Sequence, residues 1–384
     1  MLFDFSLKSS VLLIFFSQGI VFSLMLLIKG YQLQRSSSKW LSLFVFLCAM
    51  YVIPFMTGYA GWYSVKVYRE VLFFIPFQQL FLIGPVLYFY TQSLLNKSFK
   101  LSKRDWIHFV PAILYLMYSL VVFVTDKLIL SEFYFYADGR DKDLSPWYQV
   151  AGLISMVFYL LLSLRYYANY KIIAYQTVSF ADSVLFKWVR HFFIAFLIIL
   201  LLRVLFFILN PEWGQFGRKF WYYLCFSFLY YYIAFSGYSN AIRSSKIIDT
   251  SILDSEPEGS LAERNPATVL PELEVWKPKI SRLMLEEKLY ENPNLTLSNV
   301  AESLDTYPKI ISQAINNGFA MNFNDFVNKY RIEAVIERLK KGEHNSKTLL
   351  GIALECGFNS KATFNRAFKK YTALSPKEYL VKIS

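Results

Sequence analysis

The stretch LLGIALECGFNSKATFNRAFKKYTALSPKEY, Leu349 to Tyr379, decides how the C-terminal part of this chain folds. Apolar Phe364, Phe368 and Tyr371 recur at helical spacing, and Ser360 stands where a helix cap is wanted. The reading is a short helix (Leu349 to Cys356), a tight turn (Gly357 to Asn359) and a second, polar-faced helix (Lys361 to Tyr371). Ser375 followed by Pro376 opens another helix. The plan occurs once before: Leu297 to Ser303, a turn at Leu304 to Thr306, then Tyr307 to Asn316, with Pro308 in the first turn and Asn317-Gly318 closing it. Two helices joined in this way form a helix-turn-helix, whose second helix fits the DNA major groove.

Between the two units runs Phe323 to Lys341, with Phe323, Phe326, Val327, Tyr330, Ala334 and Val335 at helical spacing. Its 19 residues span roughly 28 Å at ~1.5 Å per residue, near the ~34 Å repeat of DNA. The two units can therefore reach successive major-groove turns. Asn322 with Asp325 resembles a capping box, Ser298 and Ser346 are the expected caps of the short helices, and Gly342 ends the long one. The domain reads as all-helical over 272–384, with 17 basic and 13 acidic side chains.

Upstream, Ile247 to Pro271 mixes serines and prolines with five acids (Asp249, Asp254, Glu256, Glu258, Glu263) against Arg264 alone. That composition predicts a flexible acidic tether over 247–271.

Further motifs make the tail specific. Ile352-Ala353, Cys356-Gly357-Phe358-Asn359-Ser360, Phe364-Asn365-Arg366-Ala367-Phe368-Lys369-Lys370 and Ser375-Pro376-Lys377-Glu378-Tyr379 closely resemble the C-terminal signature of AraC/XylS-type transcription regulators. Leu295-Thr296-Leu297, Val300-Ala301, Leu304, Asn322-Phe323, Phe326-Val327-Asn328 and Tyr330-Arg331-Ile332 look like the first half of the same domain. The resemblance covers about Asn292 to Tyr379. Gln313, Ile315, Ala373 and Leu380 depart from it; the family often has Arg, Phe, Gly and Arg there. Ala373 bears on the turn before Ser375, because glycine is favoured where φ is positive.

On the first reading helix Lys309, Ser312, Gln313 and Asn316 are polar while Ile311 and Ile315 face inward, and the resemblance implies that the first three face the groove. Gln313 suits adenine, and Lys309 guanine or phosphate. On the second, Lys361, Thr363, Asn365 and Arg366 are the equivalents; Lys369 and Lys370 suit phosphates, which position without reading sequence. The implied partner is double-stranded DNA, with a homodimer as a further expectation.

The remaining two-thirds is of another kind. Of the 384 residues 55% are hydrophobic and 18% charged, below the ~25% charged of a soluble domain. Seven apolar runs approach the ~20 residues that cross ~30 Å of hydrocarbon: Val11 to Ile28, Trp40 to Thr57, Val71 to Thr91, Trp106 to Thr125, Trp147 to Leu164, Trp188 to Leu209 and Phe220 to Tyr238. The first has no small-x-small cleavage site after it and reads as a retained span. Trp40, Trp106, Trp147, Trp188 and Trp221 mark run ends, as interfacial rings do. The expected fold is all-α: a seven-helix transmembrane bundle over 1–246, the tether, and the helical domain.

Loops after spans one, three and five carry ten basic residues and two acids, Asp105 and Asp182; the N-terminal tail and the other loops carry eight of each. The Lys/Arg excess predicts the N-terminus outside and the tail in the cytoplasm of a bacterial inner-membrane protein. Arg203 inside the sixth span is a candidate signal-sensing residue, or snorkels toward the interface beyond Asn210. Gln18, Gln78, Gln79, His108 and His191 line a pocket or make interhelical bonds. No phosphate loop, zinc or nucleophile-elbow motif occurs, and Cys48, Cys225 and Cys356 lack metal-site spacing. Neither enzyme nor cofactor is expected. The leading expectation is a membrane-anchored transcription regulator sensing an unknown small-molecule or membrane signal. The alternatives are a transporter or membrane enzyme with a regulatory tail, and a protein-interaction tail.

Overall fold

The computed structural model describes residues 5–96, 98–137, 139, 141–184, 187–210, 216–243 and 266–383. In chain order its helices are α1 (Leu7–Gln32), α2 (Ser36–Tyr59), α3 (Lys66–Leu72), α4 (Leu80–Leu95), α5 (Val110–Phe123), α6 (Pro146–Thr177), α7 (Ala181–Val184), α8 (Lys187–Val204), α9 (Phe216–Arg243), α10 (Pro266–Leu285), α11 (Leu297–Ser303), α12 (Pro308–Gln313), α13 (Phe323–Lys340), α14 (Leu349–Glu355), α15 (Lys361–Thr372) and α16 (Pro376–Ile383). Among the described residues there is no strand, only an isolated bridge between Val178 and Thr296. The chain divides into two compact units: Met1–Tyr167 with Lys187–Ile247, and Ala168–Phe186 with Ile248–Ser384.

In the first unit, five helical segments among the described residues are long and apolar enough to cross a membrane: Leu7–Gln32, Ser36–Tyr59, Lys103–Ile129, Pro146–Thr177 and Lys187–Leu209. The most apolar stretches of the first and third are only 22% and 17% buried, and the outer face of α5 presents Leu114, Met117, Leu120 and Val121. Apolar faces of that extent suit lipid rather than water. Polar clamps join the helices inside. Ser23 Oγ donates to the Ser42 carbonyl (3.0 Å) and Ser42 Oγ returns the bond to the Ser23 carbonyl (2.7 Å), small polar residues that let α1 and α2 approach closely.

Two of the seven expected spans look different. Val71 to Thr91 is no single helix: α3 stops at Leu72, the chain runs irregularly past Pro76, and α4 has 16 residues. The break persists because side chains from a later short 3-10 turn and from the start of α6 take the freed backbone donors. The Gln78 N–H donates to Asp143 Oδ2 (2.9 Å) and the Leu80 N–H to the Tyr148 hydroxyl (3.0 Å). The seventh, α9, has 28 residues, but its tyrosines make it too polar to count among the five.

The second unit has two cores. Met284, Leu297, Val300, Ile311, Ile315 and Phe326 build the first, and Val335, Leu339, Ile352, Phe358, Phe364 and Phe368 the second. Helix α13, 18 residues long, feeds both: its N-terminal half gives Phe323, Phe326 and Val327 to one core and its C-terminal half Ile332, Val335 and Leu339 to the other. The tether expectation for 247–265 lies outside the described residues. Residues 266–271 begin α10 instead, with Pro266 at its first position, where no N–H is needed.

Most caps fall where expected: Asn322 accepts from the Asp325 N–H (2.8 Å), Ser360 from Thr363 (3.1 Å) and Ser375 from Glu378 (3.3 Å). Two shift. Thr296, not Ser298, caps α11 in a capping box with Asn299, and Thr348, not Ser346, caps α14. Each forms its bond to the third residue of the helix, a geometry in which the hydroxyl must lie one residue before the first helical turn.

Ala373 ends α15 at φ +60°, the left-handed conformation that its departure from the family pattern brings into question. A Cβ there costs ~1–2 kcal/mol, and glycine returns ~0.4–1 kcal/mol through the freer unfolded chain. Ala373→Gly is therefore expected to stabilise the second unit by about 0.5–1 kcal/mol, read as a higher denaturant midpoint. An unchanged or lower midpoint would contradict it.

Candidate nucleic-acid interface

Each helix-turn-helix closes with the same backbone turn. In the first, the Thr306 N–H donates to the Ala301 carbonyl (2.9 Å) and Asp305 to Glu302 (3.1 Å); in the second, Phe358 donates to Ala353 (3.1 Å) and Gly357 to Leu354 (3.1 Å). The corresponding residues Asp305 and Gly357 have φ +48° and +91°. These turns set α12 and α15 as the polar-faced second helices.

On α12, Lys309 is exposed and Ser312 and Gln313 are half-buried, while Ile311 and Ile315 lie wholly in the core. Asn316 Nδ2 approaches Ser312 Oγ at 3.4 Å, just beyond the π-turn that follows α12 from Ala314. On α15, Lys361, Asn365, Arg366, Lys369 and Lys370 are exposed. Thr363 departs from its expected place among the groove-facing residues. It is 2% exposed, with its hydroxyl 2.9 Å from Ser360 Oγ, because its position in the first turn points it back at the cap. Lys370 is tied to Asp325 Oδ2 (2.6 Å), which leaves the exposed Lys369 the less engaged of the two lysines expected to meet phosphate.

Arg366 has partners that the sequence reading did not anticipate. Its guanidinium ion-pairs with Asp182, meets the Tyr175 hydroxyl at 3.3 Å and lies 5.9 Å from the Tyr175 ring centre. Both partners belong to the segment 168–186, which is part of this unit. That segment is bound along its length. Ser179 N–H donates to the Leu295 carbonyl (3.0 Å), Asn324 Nδ2 to the Val178 carbonyl (3.3 Å), and Ala174, Val178, Phe180 and Ala181 form a small buried cluster.

Arg331 holds the centre. It is 1% exposed and makes five hydrogen bonds: Nε to the Tyr290 carbonyl (2.8 Å), one terminal nitrogen to the Asn292 carbonyl (2.7 Å) and Ser179 Oγ (3.0 Å), and the other to Asn328 Oδ1 (3.3 Å) and the Ser179 carbonyl (3.4 Å). Burial pushes its guanidinium down to about 9, so it keeps all five donors at neutral pH. In the sequence Arg331 was legible only as part of the family signature, and Ser179 and Asp182 only as loop residues.

Arg203, the candidate sensing residue, does not snorkel. It is 5% exposed within the first unit and donates to the Gln149 carbonyl (2.9 Å) and Oε1 (2.5 Å), with its guanidinium 6.0 Å from the Tyr51 ring centre. Gln78 is fully buried and bonds Tyr51, Tyr223 and Gln149; Gln79 bonds back to Pro76; His108 bonds Tyr159. Gln18 and His191 are exposed.

Comparison with known proteins agrees with this geometry. A family model described as a helix-turn-helix domain matches residues 300–382. An uncharacterised HTH-type transcriptional regulator of Staphylococcus aureus strain COL is 30% identical over 101 residues, which are 26% of this chain and 13% of that relative. The probable transcription factor PqrA of Proteus vulgaris is 31% identical over 96 residues, 25% of this chain and 75% of its own length. No solved structure matches. The chain belongs to the AraC-type helix-turn-helix transcription regulators. It spans only about 13% of the length of the staphylococcal relatives it matches.

Proposed function

We propose that the protein is a membrane-anchored transcription regulator. Its N-terminal helices cross the bacterial inner membrane seven times with the N-terminus outside, and its C-terminal domain binds promoter DNA through α12 and α15. The observation that carries this reading is the place of the segment 168–186. The loop between the fifth and sixth spans is one that the Lys/Arg excess assigns to the cytoplasm, and its residues pack within the unit that holds both helix-turn-helices. That supports a DNA-binding domain on the cytoplasmic side. The exposed Lys309, Lys361, Asn365 and Lys369 and the half-buried Gln313 then meet the duplex, and Arg366 leaves Asp182 for DNA.

An ion pair with one partner as open as Arg366, 53% exposed, is worth about 0–1 kcal/mol, so DNA displaces Asp182 readily. Genome-wide mapping of DNA bound by the full-length protein tests the reading. Discrete promoter sites are expected, with Lys361→Ala plus Arg366→Ala lowering occupancy by about tenfold or more and Asp182→Asn raising it by up to about fivefold. Diffuse association, or indifference to the double substitution, would sink it.

A further inference from the structure

The first unit contains a polar cavity that the functional reading above does not use. Its volume is about 660 Å³, within the range of small-ligand sites, and its wall includes Arg69, Lys219, Asp141, Tyr63, Ser145 and Phe55. The residues come from three separate places in the sequence: the end of α2 through α3, the loop before α6, and the start of α9. The charge reading puts all three on the same, outer side.

Asp141 is the feature that asks for a ligand. It is 7% exposed: Oδ1 accepts the Asp143 N–H (2.9 Å), and the neighbouring Tyr63 hydroxyl is the one side-chain donor beside the carboxylate among the described residues. A buried carboxylate with so few donors is costly. Opposite charge is at hand on the same wall: Arg69, and Lys219, whose ammonium lies 5.6 Å from the Phe55 ring centre. The lining therefore carries both signs of charge, which suits a ligand that carries both.

Asp141 is also the outer end of a continuous chain of hydrogen bonds. Asp143 accepts the Gln78 N–H (2.9 Å) and the Tyr115 hydroxyl (2.5 Å), Gln78 Oε1 accepts from Gln149 Nε2 (2.8 Å), and Gln149 Oε1 accepts from Arg203 (2.5 Å). The chain reaches from the cavity wall to the buried arginine of α8. Burial, together with the Asp143 carboxylate beside it, holds Asp141 well above the usual carboxylate range.

We propose that this cavity binds a small zwitterion of amino-acid to dipeptide size, its carboxylate on Arg69 and Lys219 and its ammonium beside Asp141. This deepens the sensor reading, since it supplies the signal's chemical class. A cation at Asp141 changes the charge at the head of the chain that ends on Arg203, which gives the bound state a route into the helix bundle.

The test is binding of the standard L-amino acids and the alanyl dipeptides to the full-length protein in lipid nanodiscs, by calorimetry. At least one is expected to bind saturably with Kd below about 1 mM, and its N-acetyl and its C-amide forms each to bind about tenfold more weakly or worse. Asp141→Asn and Arg69→Gln are expected to do the same while the thermal unfolding of the bundle is kept. No binding by any member of the panel overturns the proposal. So does equal binding of the blocked forms, a comparison that needs no variant to fold. DNA occupancy is read separately, so loss of the DNA-binding reading and loss of this site are distinguishable.

Discussion

Gly357→Ala is expected to abolish DNA binding by collapsing the second helix-turn-helix. Gly357 sits at φ +91°, where an L side chain pays about 1–3 kcal/mol for the backbone alone. The surroundings add more: a Cβ at this position would fall on the Tyr290 carbonyl oxygen and lie 2.9 Å from two backbone atoms of Glu291. Backbone cannot rotate aside as a side chain does. The combined cost is about 4 kcal/mol or more, a large part of the ~5–15 kcal/mol that holds an ordinary domain together. Asp305 provides the internal control. It occupies the same place in the first turn at φ +48° and carries a side chain because it is exposed to solvent. Denaturant unfolding and DNA binding of the Gly357→Ala chain read the effect. A midpoint within about 0.5 kcal/mol of the parent would contradict the argument.

Arg331→Ala is expected to be nearly as damaging. It removes the side chain that bridges the carbonyls of Tyr290, Asn292 and Ser179, leaving buried acceptors at about 1–3 kcal/mol each. The packing around a wholly buried side chain is lost as well. Water entering the gap recovers part of this, so a loss of about 3–5 kcal/mol is expected. Arg331→Lys should not restore stability, because a single ammonium cannot address carbonyls on several sides as the planar guanidinium does. Full rescue by lysine would mean that charge alone matters there. Both substitutions act on the Tyr290–Glu291 backbone, since Arg331 bonds the carbonyl that Gly357 packs against. Their effects should not add.

The elements of the second unit were legible because their signals are local. Ser360, Asn322 and Ser375 cap where a short polar side chain precedes apolar periodicity, and Ala373 revealed a strained turn by standing where glycine is usual. Thr363 was misread because its polarity suggests a contact while its place in the first turn buries it. The caps at Thr296 and Thr348 were missed by two residues, since Ser298 and Ser346 offer the same hydroxyl chemistry nearby. In the first unit, apolar length found the helices. It could not find the break at Pro76, because what makes that break tolerable is Asp143, 65 residues from the Gln78 N–H that it accepts.

What the sequence determined by itself is the class of each part: apolar runs long enough for lipid, and a DNA-binding domain written in caps, turns and periodicity. These properties depend on residues within a turn or two of one another. Only the tertiary structure decided that Ser179 and Asp182 belong with the DNA-binding domain, that Arg331 is its central tie, and that Asp141 heads a chain ending at Arg203. Each of those facts joins residues from distant parts of the chain. A hydrogen bond or an ion pair carries no mark in the sequence of the partner that will complete it.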